Sequence, residues 1–334
     1  MQWLRNAFIG LIVLIIGVNL ALAGCQQQAT GIQQTIPNKM TEFPVPNSQG
    51  GLGGITAGPD GNLWFTMGYP ANQIGRITPE GKITTFSIPT PDANPHGITA
   101  GPDGNLWFTE QWRSRIGRIT PQGKITEFLA GNQPWGITTG PDGNLWFTEY
   151  GSNQIGRMTL AGAVTEFAVP TDGAPTDITV GPDGNLWFTE NEGSQIGRIT
   201  PAGTIMMFPL PTTSYFPQDI TEGPDGALWF TLDSSQIGRM TLQGAFTAFA
   251  VPPFQDIYGR TDPDHPWGIT IGPDGQLWFS GEVDIGRITP QGAISEITVP
   301  PPTGPGIELT SGPDHALWFT QPAGNWIGRI MLGG

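Results

Sequence analysis

Basic side chains are scarce in this sequence. The 334-residue chain contains 14 Lys and Arg against 28 Asp and Glu, and its formal net charge is −14. A surface of this sign repels phosphate backbones, so we expect no nucleic-acid partner and favour cations or basic ligands. Loss of the first 24 residues, whose one charged side chain is Arg5, lowers the net charge from −14 to −15.

Cysteine and charged residues in general are also rare. Cys25 is the only cysteine, so an intramolecular disulfide is excluded and stability must come from packing. Charged residues make up 13% of the chain, whereas Gly numbers 49 and Pro 33, a composition typical of short strands joined by tight turns. With 37% hydrophobic residues and 12 Trp, the chain has enough apolar material for a packed core rather than disorder.

The first 38 residues are predicted to be a targeting segment. Arg5 precedes an apolar run, Phe8 to Ala23, that ends in small residues, as in a secretory signal peptide. The sequence before Cys25, Leu-Ala-Gly, resembles the bacterial lipobox, which implies that Cys25 is lipidated. We therefore expect a lipoprotein signal peptide at 1–24, a flexible tether at 25–38 and a lipid anchor on the extracytoplasmic side of a bacterial cell envelope. The alternative is an uncleaved anchor that ends in a cysteine by chance.

One sequence element recurs seven times after residue 38. Each copy contains Gly-Pro-Asp, then Leu-Trp-Phe, then Ile-Gly-Arg, and successive copies begin 39 to 49 residues apart. The copies begin at Gly58, Gly101, Gly140, Gly181, Gly223, Gly272 and Gly312. This period is that of a four-stranded propeller blade. We predict an all-β fold over residues 39–334, a seven-bladed β-propeller of four-stranded blades.

The two ends of the chain predict how the ring closes. The last repeat stops after Ile327-Gly-Arg-Ile-Met and lacks an outer strand, whereas Met40-Thr-Glu-Phe-Pro reads as an outer strand without a blade. We expect this N-terminal strand to complete the seventh blade, because closure removes an exposed sheet edge.

The residues that recur in every blade are interpreted as structural. The seven Leu-Trp-Phe tryptophans are expected to pack between blades. The Ile-Gly-Arg arginines are expected to satisfy carboxylate or carbonyl groups at blade junctions, and the aspartates of Gly-Pro-Asp are expected to form turns. His315, which replaces the turn glycine of the last repeat, is placed at the end of the ring away from any site.

Function is expected where the repeats differ, at the ring end where inner strands begin and second strands end. The candidate rim residues there are Trp135, Glu149, Asp177, Glu190, Gln218, Asp219, Trp267 and Glu308, together with His265 in the longest connection between blades. These carboxylates and aromatic rings suit a hard metal ion such as Mg²⁺ or Ca²⁺ beside an aromatic or apolar ligand. The alternative is that each charge is simply solvated at the rim.

The running pattern Gly-Ile-Thr-x-Gly-Pro-Asp-Gly-x-Leu-Trp-Phe-Thr-Glu, followed by Ile-Gly-Arg-Ile-Thr, resembles the streptogramin B (virginiamycin B) lyases over residues 40–332. The resemblance implies a seven-bladed propeller that opens a cyclic depsipeptide antibiotic by Mg-dependent elimination at its ester, without hydrolysis.

The family's catalytic histidine pair is not matched here. The resemblance places Pro-His at the start of the last two blades, where this chain has Pro266-Trp267 and Gly306-Ile307, and it places a final Glu where Pro322 stands. Repeat 2 keeps a histidine with a glutamate, His96 and Glu110, and Glu282 follows Trp278 at the family's spacing. His96, Glu110 and Glu282 are therefore the catalytic candidates, since proton abstraction needs a positioned base.

Three functions remain open. The favoured hypothesis is a monomeric propeller that binds a small-molecule, peptide or glycan ligand at its central mouth. The second is a metal-dependent C–O lyase with a rearranged site. The third is a metal-dependent lactonase, as in the similar gluconolactonase-type propellers, which needs Asn and Asp ligands that reach the channel from several blades.

Overall fold

The computed structural model describes residues 39–46, 51–255, 261–262, 264–299 and 308–332. The predicted signal peptide, tether and lipidation site Cys25 lie outside these residues. Within the described residues, no helix has the length and apolar character needed to cross a membrane.

Strands form wherever the repeat alternates short apolar runs with Gly- or Pro-containing turns, and they assemble into seven four-stranded antiparallel sheets. The inner strands are Leu52–Ala57, Pro95–Ala100, Pro134–Thr139, Pro175–Val180, Pro217–Glu222, Ile269–Ile271 and Leu309–Ser311. The second strands are Leu63–Met67, Leu106–Glu110, Leu145–Glu149, Leu186–Glu190, Leu228–Leu232, Leu277–Ser280 and Ala316–Gln321.

The third strands are Gln73–Ile77, Arg115–Ile119, Gln154–Met158, Gln195–Ile199, Gln236–Met240, Asp284–Ile288 and Trp326–Met331. The outer strands are Ile83–Ser87, Ile125–Leu129, Val164–Ala168, Ile205–Pro209, Phe246–Ala250, Ile294–Thr298 and, for the seventh blade, Lys39–Pro44. A 3₁₀ turn at Gln111–Arg113 and a short hairpin of Phe254–Gln255 with Thr261–Asp262 complete the described elements. The predicted seven-bladed propeller is confirmed.

The N-terminal strand closes the ring as predicted. Lys39–Pro44 pairs antiparallel with Trp326–Met331, with Thr41 opposite Arg329. The Phe43 ring stacks on Trp318 at 5.5 Å between centroids, as the outer-strand Phe128 stacks on Trp107 in the second blade. The first strand of the chain therefore makes the same contacts as an outer strand supplied from within a blade.

Blade junctions are held by the repeated residues. The seven Leu-Trp-Phe tryptophans are fully buried, and each packs against the next blade, as Trp107 does against Ile137 and Phe147. In the second blade, the Trp107 indole N–H donates to Asp103 at 3.1 Å, and Arg118 lies 5.4 Å from the Trp107 ring centroid. The same Asp–Trp–Arg arrangement recurs in all seven blades.

The arginines also bridge blades. Arg76 Nη1 donates to the backbone oxygen of Pro121 in the next blade at 2.8 Å, and Arg157 donates to the oxygen of Pro201 at 2.9 Å. The structural interpretation of the repeated arginines is thus confirmed. The repeated aspartates, tryptophans and arginines lie at the end of the ring that carries the Gly-Pro-Asp turns, here called the turn face. The opposite end is called the mouth face.

Candidate functional site

In the first five blades, the non-repeating residues at the start of the inner strands lie in β-bulges. In blades 1 to 5 the pairing of inner and second strands slips by one residue after the inner strand begins, as between Pro134 and Ile137. The two residues inside each slip, such as Trp135 and Gly136, have no ladder partner on the second strand. A bulge frees such residues from regular alternation and redirects their side chains. The fold therefore presents each blade's variable residue at the mouth face.

Buried threonines fix the positions of these bulges. Thr109 Oγ1 accepts a hydrogen bond from Gly97 N of its own blade at 2.9 Å and donates to Trp135 O of the next blade at 2.8 Å. Thr148 links Gly136 and Thr176 in the same way. The sequence analysis missed this role, although the signal was present: a Thr or Ser follows Leu-Trp-Phe in every repeat.

A cavity of about 440 Å³ occupies the centre of the mouth face, a size typical of small-molecule sites. It is called the central pocket. It is lined by seven of the predicted residues: His96, Trp135, Asp177, Gln218, Asp219, Trp267 and Glu308. They come from six different blades, so the pocket is formed only when the ring closes.

Two aspartates of neighbouring blades form a pair in this pocket. The carboxyl groups of Asp177 and Asp219 lie close together, since both accept a hydrogen bond from the same backbone amide, Ile220 N. Backbone amides orient the pair: Asp219 accepts from Ile220 N at 2.8 Å and from Ile269 N at 2.6 Å. Asp177 accepts from Ile220 N at 3.2 Å.

Desolvation and mutual repulsion shift the titration of these acids. Burial raises the pKa of Asp177, and burial together with the charges of Asp177 and Glu308 raises the pKa of Asp219 well above its usual range. Burial and the nearby Asp177 charge raise the pKa of Glu308 to about 8. Acids with separated pKa values in one pocket are a frequent property of functional sites.

His96 faces the same pocket as a neutral imidazole. Desolvation lowers its pKa to about 4, so its ring is uncharged at neutral pH. The ring lies 4.3 Å from the Trp135 ring, which in turn lies 5.7 Å from Tyr150. The arrangement provides a proton acceptor beside an aromatic surface.

The glutamates that end the second strands lie elsewhere. Glu110, Glu149 and Glu190 are fully buried and do not line the central pocket, which corrects the expectation that they sit on its rim. Along a strand, Glu110 shares a side with Phe108, whose ring packs between blades, so its carboxyl also enters the junction. Burial and the charge of Glu127 raise the pKa of Glu110 to about 8.

The remaining candidates belong to the sixth blade and its connection. His265 is half-buried, and its Nδ1 lies 3.0 Å from Asp233 O. Glu282 is also half-buried, and its backbone N donates to Asp264 at 2.7 Å. Neither side chain lines the central pocket. The catalytic candidates His96, Glu110 and Glu282 are therefore not brought together.

Two pocket residues were missed by the sequence analysis. Tyr69 and Asn94 line the pocket on the side of blades 1 and 2, and the Asn94 side chain accepts from Tyr69 N at 2.9 Å. Tyr69 remains 59% exposed, so its ring is available to a ligand. Both residues lie in connections between strands whose sequences are not repeated, so no motif pointed to them.

The described residues do not fit a preformed magnesium site. No three His, Cys, Asp or Glu side chains among them are grouped at metal-binding distance. The carboxylate oxygens of Asp177 and Asp219 already accept backbone amide hydrogens, whereas Mg²⁺ demands a near-octahedral set of free oxygens. We therefore derive no catalytic step through a metal.

The closed ring and its pocket define a class: a seven-bladed β-propeller with a cavity at one end of the central channel. Within that class, the chain belongs to the virginiamycin B lyase family, whose model matches residues 38–261 and 254–334.

Solved structures of the family superpose closely on this chain. A streptogramin B lyase is 36% identical with a TM-score of 0.81, and the match covers 89% of this chain and 98% of that one. The virginiamycin B lyase of Staphylococcus aureus is 38% identical with a TM-score of 0.80, covering 89% and 100%. A catalytically inactive histidine-to-alanine form of that lyase, solved with quinupristin, is 37% identical with a TM-score of 0.81 over the same shares.

Among curated proteins, the virginiamycin B lyase of Bordetella parapertussis is 51% identical over 43 residues. This match covers 13% of the present chain and 14% of that lyase, so it spans only about a seventh of the relative's length.

Proposed function

We propose that this protein is a lipid-anchored propeller of the cell envelope that binds a small-molecule, peptide or glycan ligand in the central pocket. The observation that carries the proposal is the gathering of one variable residue from each of several blades into one cavity. Packing of the blades does not require the seven repeats to differ at the start of the inner strand. Because they differ there, where the blades converge on the central pocket, the variation favours a role in binding.

Binding is tested by a thermal-shift screen of cyclic depsipeptides, linear peptides and oligosaccharides, followed by calorimetry on any hit. We expect Trp135→Leu and His96→Ala to weaken binding at least about tenfold. The matched control is His315→Asn on the turn face, where Asn tolerates the left-handed backbone of His315 (φ 59°). A hit that binds all three variants equally would place the ligand elsewhere.

Anchoring is tested separately. The lipobox-like sequence before Cys25 supports it, and Cys25→Ala is expected to abolish incorporation of a labelled fatty acid and to release the protein from the membrane fraction. Retention of both properties in Cys25→Ala would contradict lipid anchoring.

A lyase activity is the second candidate. Family membership and the neutral His96 in the same pocket as three acids favour it, since an uncharged imidazole can accept a proton α to a carbonyl and a protonated carboxyl can donate one. His96, Asp177, Asp219 and Glu308 are the groups of this chain that would hold and move protons.

The product separates the two enzymatic hypotheses. Elimination opens the ring of quinupristin without changing its mass, whereas a lactonase adds the mass of one water. Incubation with and without Mg²⁺, followed by chromatography and mass spectrometry, is expected to give a linear isomer that His96→Ala does not form. Unchanged quinupristin with metal present would rule out the lyase.

A further inference from the structure

The charges around the central pocket are unbalanced. Among the described residues that line it, Asp177, Asp219 and Glu308 are acidic and none is Lys or Arg. Backbone amides orient Asp177 and Asp219, but an amide carries only a partial charge. These carboxyl groups therefore keep an attraction for a full positive charge that no described side chain of the pocket supplies.

The opposite half of the pocket is aromatic. Tyr69, His96 and Trp135 come from blades 1, 2 and 3, whereas the acids come from blades 4, 5 and 7. Trp135 is half-buried, and its ring is tilted against the rings of His96 and Tyr150. The ring face of Trp135 is thus held in place by neighbours before any ligand arrives, which lowers the ordering cost of binding.

We propose that the central pocket takes a ligand with two unlike ends, a protonated amine held by Asp177, Asp219 and Glu308 and an aromatic or other apolar ring placed against Trp135. This inference rests on the proposed binding function and names its ligand class. Carboxylates and aromatic faces are the two features by which proteins bind organic cations. Burial, and then the charges of the neighbouring acids, raise the pKa values of Asp219 and Glu308, and a bound ammonium group would favour the charged form of these carboxyls.

The test uses three probes that share a phenyl ring: 2-phenylethylamine, 3-phenylpropionamide and 3-phenylpropionate. Calorimetry is performed on the full chain in mild detergent at neutral pH. We expect the amine to bind at least about tenfold more tightly than the neutral amide, a difference of about 1.4 kcal/mol, and the anion to bind most weakly.

Variants assign the preference to the pocket acids. Asp219→Asn and Glu308→Gln are each expected to bring the amine and amide affinities within about threefold of each other and to leave the amide affinity unchanged. Trp135→Leu is expected to weaken both probes by a similar factor. Asp92→Asn, at an exposed acid paired with Arg113, is the control and keeps the wild-type ratio.

Equal binding of amine and amide by the wild type overturns the inference, as does a preference that survives both acid variants. Failure of all three probes to bind overturns it as well. The binding function is judged separately by the ligand screen: a hit lost in Trp135→Leu keeps the function even when the amine preference is absent.

Discussion

The turn face and the mouth face of this propeller use the same seven repeats in opposite ways. On the turn face, every blade carries the same Asp–Trp–Arg set, with the indole N–H 2.9 to 3.1 Å from its aspartate. On the mouth face, the equivalent position holds His96 in one blade, Trp135 in the next and Gln218 in a third. The residues that are identical in every repeat therefore hold the blades together, whereas the residues that differ between repeats line the central pocket.

The largest effect is expected from breaking the turn-face set. Trp146→Ala removes a fully buried ring that packs against Ile178 and Phe188 of the next blade, and we expect it to lower the free energy of unfolding by about 3 to 5 kcal/mol. Urea denaturation measures the change. If the mouth-face variant Trp135→Ala proves equally destabilising, the distinction between a structural turn face and a variable mouth face is contradicted.

A buried junction acid should have the next largest effect. Burial raises the pKa of Glu110, so the folded state holds this proton more tightly than the unfolded state. Its stabilising contribution is complete below the unfolded pKa and is lost as pH rises to about 8. Glu110→Gln is expected to be more stable than the wild type at pH 8, by on the order of 1 to 3 kcal/mol.

Denaturation of Glu110→Gln at several pH values between 4 and 9 tests this pH dependence. The stability gain should shrink as pH falls. Glu80→Gln, at an exposed glutamate, serves as the control and should follow the wild-type profile. A gain for Glu110→Gln that stays constant with pH would show that proton binding at Glu110 is not responsible.

The buried threonines join neighbouring blades at the mouth face, and their removal should affect both stability and binding. Thr109→Val leaves the N–H of Gly97 and the carbonyl of Trp135 without their bonds, and we expect a loss of about 1 to 2 kcal/mol. Ligand affinity should fall with it, because the Trp135 backbone is no longer tethered. Calorimetry compares the ligand affinity of Thr109→Val with that of the outer-strand control Thr126→Val. Unchanged affinity in Thr109→Val would show that the threonine does not support the pocket.

The smallest stability effect is expected at the pocket itself. His96→Ala should change the free energy of unfolding by less than about 1 kcal/mol, although it alters ligand binding. Thermal denaturation and calorimetry on the same sample compare the two. A large loss of stability would mean that His96 supports the ring rather than the ligand.

Much of the fold followed from the repeats, and much of the site from their exceptions. Seven copies of one element predicted the blades, and an unpaired strand at Met40 predicted the closure that the pairing with Trp326–Met331 confirms. The variable positions from His96 to Glu308 stood out in the sequence because they interrupt an otherwise constant pattern. These successes share a cause: each blade repeats the same local chemistry, so a departure is visible.

The errors have physical causes as well. Glu149 and Glu190 were assigned to the rim because their strands end at the mouth face. Two-residue alternation instead places their side chains, like that of the catalytic candidate Glu110, between blades beside Phe108 and its equivalents. Tyr69 was missed because its position depends on an irregular connection and on the Asn94 side chain. The shared hydrogen bonding of Asp177 and Asp219 to the Ile220 amide depends on blade-to-blade spacing, which no single repeat contains.

The closure of the seventh blade by the N-terminal strand Lys39–Pro44 has a topological consequence. Lys39 lies opposite Met331, so the two ends of the described chain meet within one sheet. A ring joined in this way has no preferred starting blade, and a circularly permuted chain opened at another exposed turn, such as Thr200–Gly203, should rebuild the same seven junctions.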